Sequence, residues 1–316
     1  MATKPIIPAV WVACQLVAFP SGANAGQHAT HKTATVVDER LLATQVMLDR
    51  AGYSPGEIDA VSGTSTERAL AAYTHDGGNA DALAQDALTK YTITEEDAAG
   101  PFTPRIPTDL MEQATLPSLG FTSLVEALGE RFHASPALLK RLNPDATFTP
   151  GETITVPNVA NAATPVGPPP GRQNEASNPA VTTVTVRKGT SDLVATDNAG
   201  KTLMYAPVTT GSEHDPLPIG EWKVTGVQRN PEFHYNPSLF WDASAMQSKA
   251  TIAAGPNNPV GVVWVDISRP HYGLHGTPEP SKIGKTESHG CVRLTNWDAS
   301  KLASLVRPGT RVVFTE

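Results

Sequence analysis

A single sulfur and three imidazoles crowd one short stretch of this sequence. Cys291 follows His289-Gly290, and upstream stand His271 and the pair His275-Gly276. A cysteine becomes a nucleophile when a neighbouring base takes its proton, and histidine titrates in the range that suits this near neutrality. Acyl transfer also needs donors for the oxyanion of a tetrahedral intermediate, which backbone N–H groups of a glycine-containing turn can supply. Gly290, directly before Cys291, permits such a close backbone approach. The same residues admit two other readings. One is an inert buried thiol beside structural histidines. The other is a zinc site made of His271, His275, His289 and Cys291. The four-residue spacing of His271 and His275 would suit zinc on a helix, but Pro270, Gly273 and Gly276 oppose a helix there. Glu279 and Glu287 are in the vicinity, yet neither is obviously placed as the base for a zinc-bound water. The expectation is a cysteine site with no metal and no cofactor.

The chain of 316 residues has two cysteines. Residues 1–25 read as an export signal: Lys4 is the only charge, Ile6 to Phe19 is apolar, and Ala23-Asn24-Ala25 is a small-x-small cleavage site. Removing it takes Cys14 away and leaves Cys291 alone, so no internal disulfide can form. Trp11-Val12-Ala13 ahead of Cys14 is a poor lipobox. An unpaired thiol in an oxidising compartment points to a reactive group or an intermolecular link. The expected location is periplasmic or cell-wall associated. No apolar run reaches the ~18 residues of a spanning helix, so no transmembrane segment remains after signal removal.

Composition narrows the class further. Apolar residues are 40% and charged ones 17%, enough for a core, and the net charge of −7 gives no electrostatic footprint for nucleic acid. Residues 26–180 carry 10 basic and 19 acidic side chains, against 13 and 12 in residues 181–316. Residues 36–78 read as a small helical module turning at Gly52-Tyr53-Ser54-Pro55-Gly56. Residues 118–159 read as two helices, Ser123 to Phe132 and Ser135 to Leu142, then a strand at Thr153 to Val156, with a poorly marked first strand near Leu119 to Thr122. Residues 160–180, rich in Pro and Gly, cannot bury a core and read as a semi-extended tether that would let an anchored enzyme search its surroundings. In residues 181–316 six β-branched or aromatic runs are separated by turn residues, with a helix expected from Asp298 to Leu305. The fold class is therefore multidomain: a small helical module, a small α+β module, and a mainly β sandwich with a short C-terminal helix.

Three resemblances add to this reading. Leu48-Asp49-Arg50-Ala51-Gly52-Tyr53-Ser54-Pro55-Gly56, with Ile58-Asp59 and Gly63, resembles a three-helix peptidoglycan-binding domain, departing from it at Ala60 and Thr74. Leu138 to Pro144 and Pro150 to Pro157 resemble a LysM domain, a β-α-α-β fold that binds glycan chains. His275-Gly276, eleven residues, then Ser288-His289-Gly290-Cys291-Val292-Arg293 resembles the signature of the YkuD-type L,D-transpeptidase catalytic domain. That likeness extends through Thr210-Gly211-Ser212, Pro218 to Trp222, Gly255 to Gly261 and Leu294 to Ala299.

The last resemblance implies roles for individual residues. Cys291 would be the nucleophile and His275 its general base, oriented by the backbone carbonyl of Gly276. His289 would line the site and help position the nucleophile loop, and N–H groups around Gly290 and Cys291 would form the oxyanion hole. Arg293 would bind a substrate carboxylate, with Ser288 beside it as a turn hydroxyl on the substrate side. The implied reaction forms a Cys acyl-enzyme on a peptidoglycan stem tetrapeptide with loss of D-Ala. An amine then resolves it, giving a 3→3 crosslink or anchoring a wall lipoprotein, with carbapenems as expected inhibitors. Partners would be stem peptides and glycan strands. The alternatives are an L,D-carboxypeptidase or amide hydrolase on the same fold, and a catalytically silent wall-binding protein.

Overall fold

The C-terminal half builds its core from alternation. A computed structural model of the chain describes residues 37–159 and 181–316. The expected signal peptide and the Pro/Gly-rich segment 160–180 lie outside the described residues. N-terminal elements are α1 (Glu39–Ala51), α2 (Thr64–His75), β1 (Leu88–Thr92), α3 (Glu95–Ala98), α4 (Leu110–Gln113), α5 (Leu124–Arg131), α6 (Pro136–Leu142) and β2 (Thr153–Pro157). There follow β3 (Thr183–Arg187), β4 (Asp192–Thr196), β5 (Thr202–Pro207), β6 (Gly220–Arg229), β7 (Phe233–Tyr235), β8 (Ala250–Ile252), β9 (Val263–Ile267), β10 (Gly273–His275), β11 (Val292–Arg293), α7 (Asn296–Leu305) and β12 (Arg311–Thr315).

Eight of these strands form one sheet in the order β11-β10-β9-β6-β12-β3-β4-β5. Successive residues of a strand face opposite ways, so Val184 and Val186 on β3, Val263, Val265 and Ile267 on β9, and Val312 and Phe314 on β12 all point inward and are buried. The long strand β6 pairs with β12 through its first residues and with β9 through its last, with an irregularity between Val224 and Gly226. A bulge increases local bend and twist. The two halves of the sheet thereby enclose one core, which Ala299, Leu302 and Ala303 of α7 complete. This is the expected mainly β sandwich with its C-terminal helix. The helix starts two residues earlier than expected because Thr295 caps it, its hydroxyl accepting from Asp298 N–H at 3.1 Å.

The N-terminal half departs from the sequence reading in two ways. The strand that pairs with β2 is β1, not the segment near Leu119 to Thr122, so residues 93–123 are inserted between it and α5. Nor are the two N-terminal modules separate. Leu42, Val46 and Ile58 share a core with Ile93, Leu128, Phe132, Leu138, Leu139, Ile154 and Val156. Two short helices and a two-stranded ribbon are each too small to bury their apolar faces alone, and pooling them makes one core.

That joint body is docked on the sandwich. Tyr205 on β5, the sheet's edge strand, exchanges backbone bonds with residues 52–54: its N–H donates to Gly52 O and Ser54 N–H donates to its carbonyl, both at 2.9 Å. The edge, which would otherwise invite foreign strands, is covered at that point. Ser54 Oγ donates to Asp298 at 2.8 Å, and the His133 ring stacks on Trp297 at 5.1 Å. Asn257 donates from Nδ2 to Gly120 O at 2.9 Å and to Glu126 at 2.8 Å.

Two of the buried carboxyls in this region are shifted: burial pushes Glu130 up to about 8 and Asp298 up to about 6, and Glu130 Oε1 has no hydrogen-bond partner among the described residues. A carboxyl near 4.3 in the unfolded chain and about 8 in the folded one contributes full stability below pH ~4.3 and loses it as pH rises through 8. Glu130→Gln is therefore expected to raise stability at pH 8 by about 1–3 kcal/mol, the gain vanishing toward pH 4. Urea unfolding at the two pH values checks this; an equal effect at both would remove the assignment.

Candidate active site

The sheet register places the chemistry. Strand β10 lies between β9 and β11, with Leu274 opposite Val292 and His275 opposite Arg293 in parallel register. Side chains two apart share a face, so Cys291, Arg293 and His275 fall on the same side of this sheet edge. All three line one cavity of about 950 Å³, together with His271, Tyr272, Ser288 and His289. Neither β10 nor β11 was foreseen in the sequence, because strands of three and two residues carry too little pattern to read.

His275 is the most constrained member. It is 4% exposed, its ring stacks on Trp264 at 5.4 Å, and its Nδ1 lies 2.7 Å from Gly276 O. With Nδ1–H donating to that carbonyl, Nε2 is left as the free lone pair. Burial, aided by the Arg293 charge, pulls its pKa down to about 3, although the Gly276 bond opposes this. Burial likewise pushes the Cys291 thiol up to about 11, against a Gly273 backbone hydrogen bond and the Arg293 charge. The resting pair is thus neutral thiol and neutral imidazole, because desolvation penalises both ions.

The segment around Cys291 is tightly held. Gly290 has φ +97°, and a Cβ there would lie 2.6 Å from the Tyr272 ring, so its glycine is required twice over. Ser288 Oγ donates to Cys291 O at 2.6 Å, which fixes the turn and occupies that hydroxyl. Cys291 Sγ lies 3.8 Å from the carbonyl of His271, itself at φ +68°. His289 faces the other wall: its Nε2 is 3.0 Å from Asp242 Oδ1, and its ring meets Phe240 edge-on at 4.9 Å. Arg293 is desolvated and among the described residues makes no ion pair; its Nη1 donates only to Glu287 O at 3.4 Å. No three His, Cys, Asp or Glu side chains among the described residues converge as a metal site.

Several lining residues escaped the sequence reading. Asp215, Tyr235, Phe240 and Asp242 come from loops or short strands without a motif, and Thr108 and Leu110 come from the inserted N-terminal segment. That segment reaches the cleft because α4 packs against β8 and Leu119 N–H donates to Ala254 O at 3.1 Å.

A mainly β domain whose Cys and His open on one cleft is the class these observations define. Residues 182–314 match the family model of the YkuD L,D-transpeptidase catalytic domain. YkuD of Bacillus subtilis (strain 168) is 29% identical over 190 residues, covering 60% of this chain and 91% of that protein. YqjB of the same organism is 33% identical over 140 residues, covering 42% of this chain and 70% of that protein. YbiS of Escherichia coli (strain K12) is 46% identical over 119 residues, 36% of this chain and 38% of that one. The chain belongs to the YkuD family of L,D-transpeptidases.

Proposed function

We propose that this chain is a peptidoglycan L,D-transpeptidase working through a Cys291 acyl-enzyme. The observation that carries the reading is the common face of Cys291, His275 and Arg293, with Nδ1 of His275 held by Gly276 O. Cys291 attacks the carbonyl of the third stem residue while His275 Nε2 takes the thiol proton. The same imidazolium then gives that proton to the departing D-Ala amine, leaving a thioester. N–H groups around Gly290 and Cys291 stabilise the oxyanion. Arg293, desolvated and without an ion pair among the described residues, holds a substrate carboxylate with its planar fork. An amine from a second stem, or from a wall lipoprotein, resolves the thioester and regenerates the thiol. The N-terminal body, with its LysM-like β1-α5-α6-β2 order, would contribute contacts to wall glycan. Export to the periplasm or cell wall follows from the substrate, and among the described residues no helix is long and apolar enough to cross a membrane.

Purified protein incubated with disaccharide tetrapeptide tests this by mass. The expected product is a dimer lacking one D-Ala. Tripeptide alone would make the chain a carboxypeptidase, and no change in mass would end the enzymatic reading. A carbapenem is expected to add covalently at Cys291, seen as a mass shift on its peptide.

A further inference from the structure

Asp215 lines the catalytic cavity from the loop between β5 and β6. Its position is built into the fold. Ser212 N–H donates to Asp215 O at 3.0 Å, and Asp215 N–H donates to Ser212 Oγ at 3.1 Å, closing a tight turn. At Gly211 a Cβ would stand 2.2 Å from Asp215 O and 2.6 Å from Leu217 N, so only glycine allows the turn. The loop is fastened to the nucleophile segment: Ser288 N–H donates to Thr210 O at 3.0 Å, and Thr209 and Arg293 exchange backbone bonds at 3.0 and 2.9 Å.

Asp215 Oδ2 is shielded from solvent and has no hydrogen-bond partner among the described residues. An unpaired, desolvated carboxylate oxygen is costly, and native folds rarely retain one without use. Its field reaches the sulfur, since Asp215 contributes to the raised Cys291 pKa. Of the charged residues that line the cavity, Asp242 is paired with His289, whereas Arg293 and Asp215 make no ion pair with a side chain among the described residues, and Asp215 Oδ2 accepts no hydrogen bond.

We propose that Asp215 receives the primary ammonium group of the acyl acceptor and positions it at the Cys291 thioester. This rests on the acyl-transfer reading above and deepens it. The bound ammonium sheds one proton to solvent and attacks the thioester carbonyl as an amine. The new C–N bond forms, the C–S bond breaks, and the second nitrogen proton passes through His275 to the leaving sulfur. Water is uncharged and gains less from Asp215 than an ammonium does, so this residue weights the choice toward transfer over hydrolysis.

The test uses the full chain, disaccharide tetrapeptide as donor and disaccharide tripeptide as amine acceptor. In Asp215→Asn, the ratio of crosslinked product to hydrolysed tripeptide is expected to fall at least tenfold. Most of the loss should lie in acceptor KM, and Asp215→Glu should recover part of it. Hydroxylamine, an uncharged nucleophile at neutral pH, should resolve the acyl-enzyme equally well in both proteins, which a general structural defect would not allow. An unchanged ratio overturns the proposal. So does single-turnover D-Ala release that falls by the same factor, because that would place Asp215 on the donor. A wild-type chain that forms no acyl-enzyme overturns the transpeptidase reading itself.

Discussion

Cys291→Ala is expected to leave a folded protein that neither releases D-Ala from a tetrapeptide nor takes up a carbapenem. Among the described residues the thiol makes only weak backbone contacts, to the His271 carbonyl at 3.8 Å and to Gly273, so removing it should change thermal stability little. Loss of a covalent nucleophile abolishes the low-barrier route entirely. Residual catalysis from binding and oxyanion stabilisation alone is typically ~10⁴–10⁶-fold below the intact enzyme. Intact-mass measurement after carbapenem exposure and D-Ala release over hours read both losses. A variant retaining more than about one percent of wild-type transfer would show that sulfur is not the nucleophile.

Replacing the base should produce the second largest effect, and the pH behaviour distinguishes its mode of action. His275→Gln is expected to lower acylation by ~10²–10⁴-fold, the usual worth of a positioned general base. In the wild type, the imidazole pKa of about 3 lies below its ordinary value, so free base persists on cooling acidity down to that point. The thiol at about 11 stays protonated up to there. Acylation by substrate should then be nearly flat between roughly pH 4 and 10, since the reactive form is the neutral pair. Iodoacetamide, which needs free thiolate, should instead react about tenfold faster per pH unit toward pH 11. An acid limb centred near pH 6.5 would mean that the imidazole titrates at its ordinary value, and an alkylation plateau beginning near neutrality would mean that a thiolate–imidazolium pair is preformed.

The N-terminal body bears on the cleft as well as on stability. Thr108 and Leu110 form part of the cavity wall, and the Asn257 amide ties the inserted segment to the loop before β9. The C-terminal half therefore does not make this cavity alone. Docking of this kind is decided by surfaces that meet only after folding.

Local patterns carried far in this chain. Runs of β-branched and aromatic residues between turn residues mark β3, β4, β9 and β12, Ser135 followed by Pro136 marks the start of α6, and the clustered histidines single out the neighbourhood of Cys291. Each depends on interactions between residues close in sequence. What required the tertiary structure was everything set by long-range pairing: the parallel register that aligns His275 with Arg293, the partner of β2, and the shared N-terminal core. The charge states belong to the same category. Residue type alone marks Cys and His as a reactive couple, but burial among Trp264, Tyr272 and the sheet edge determines that both rest uncharged, and only the folded loop isolates the oxygen of Asp215.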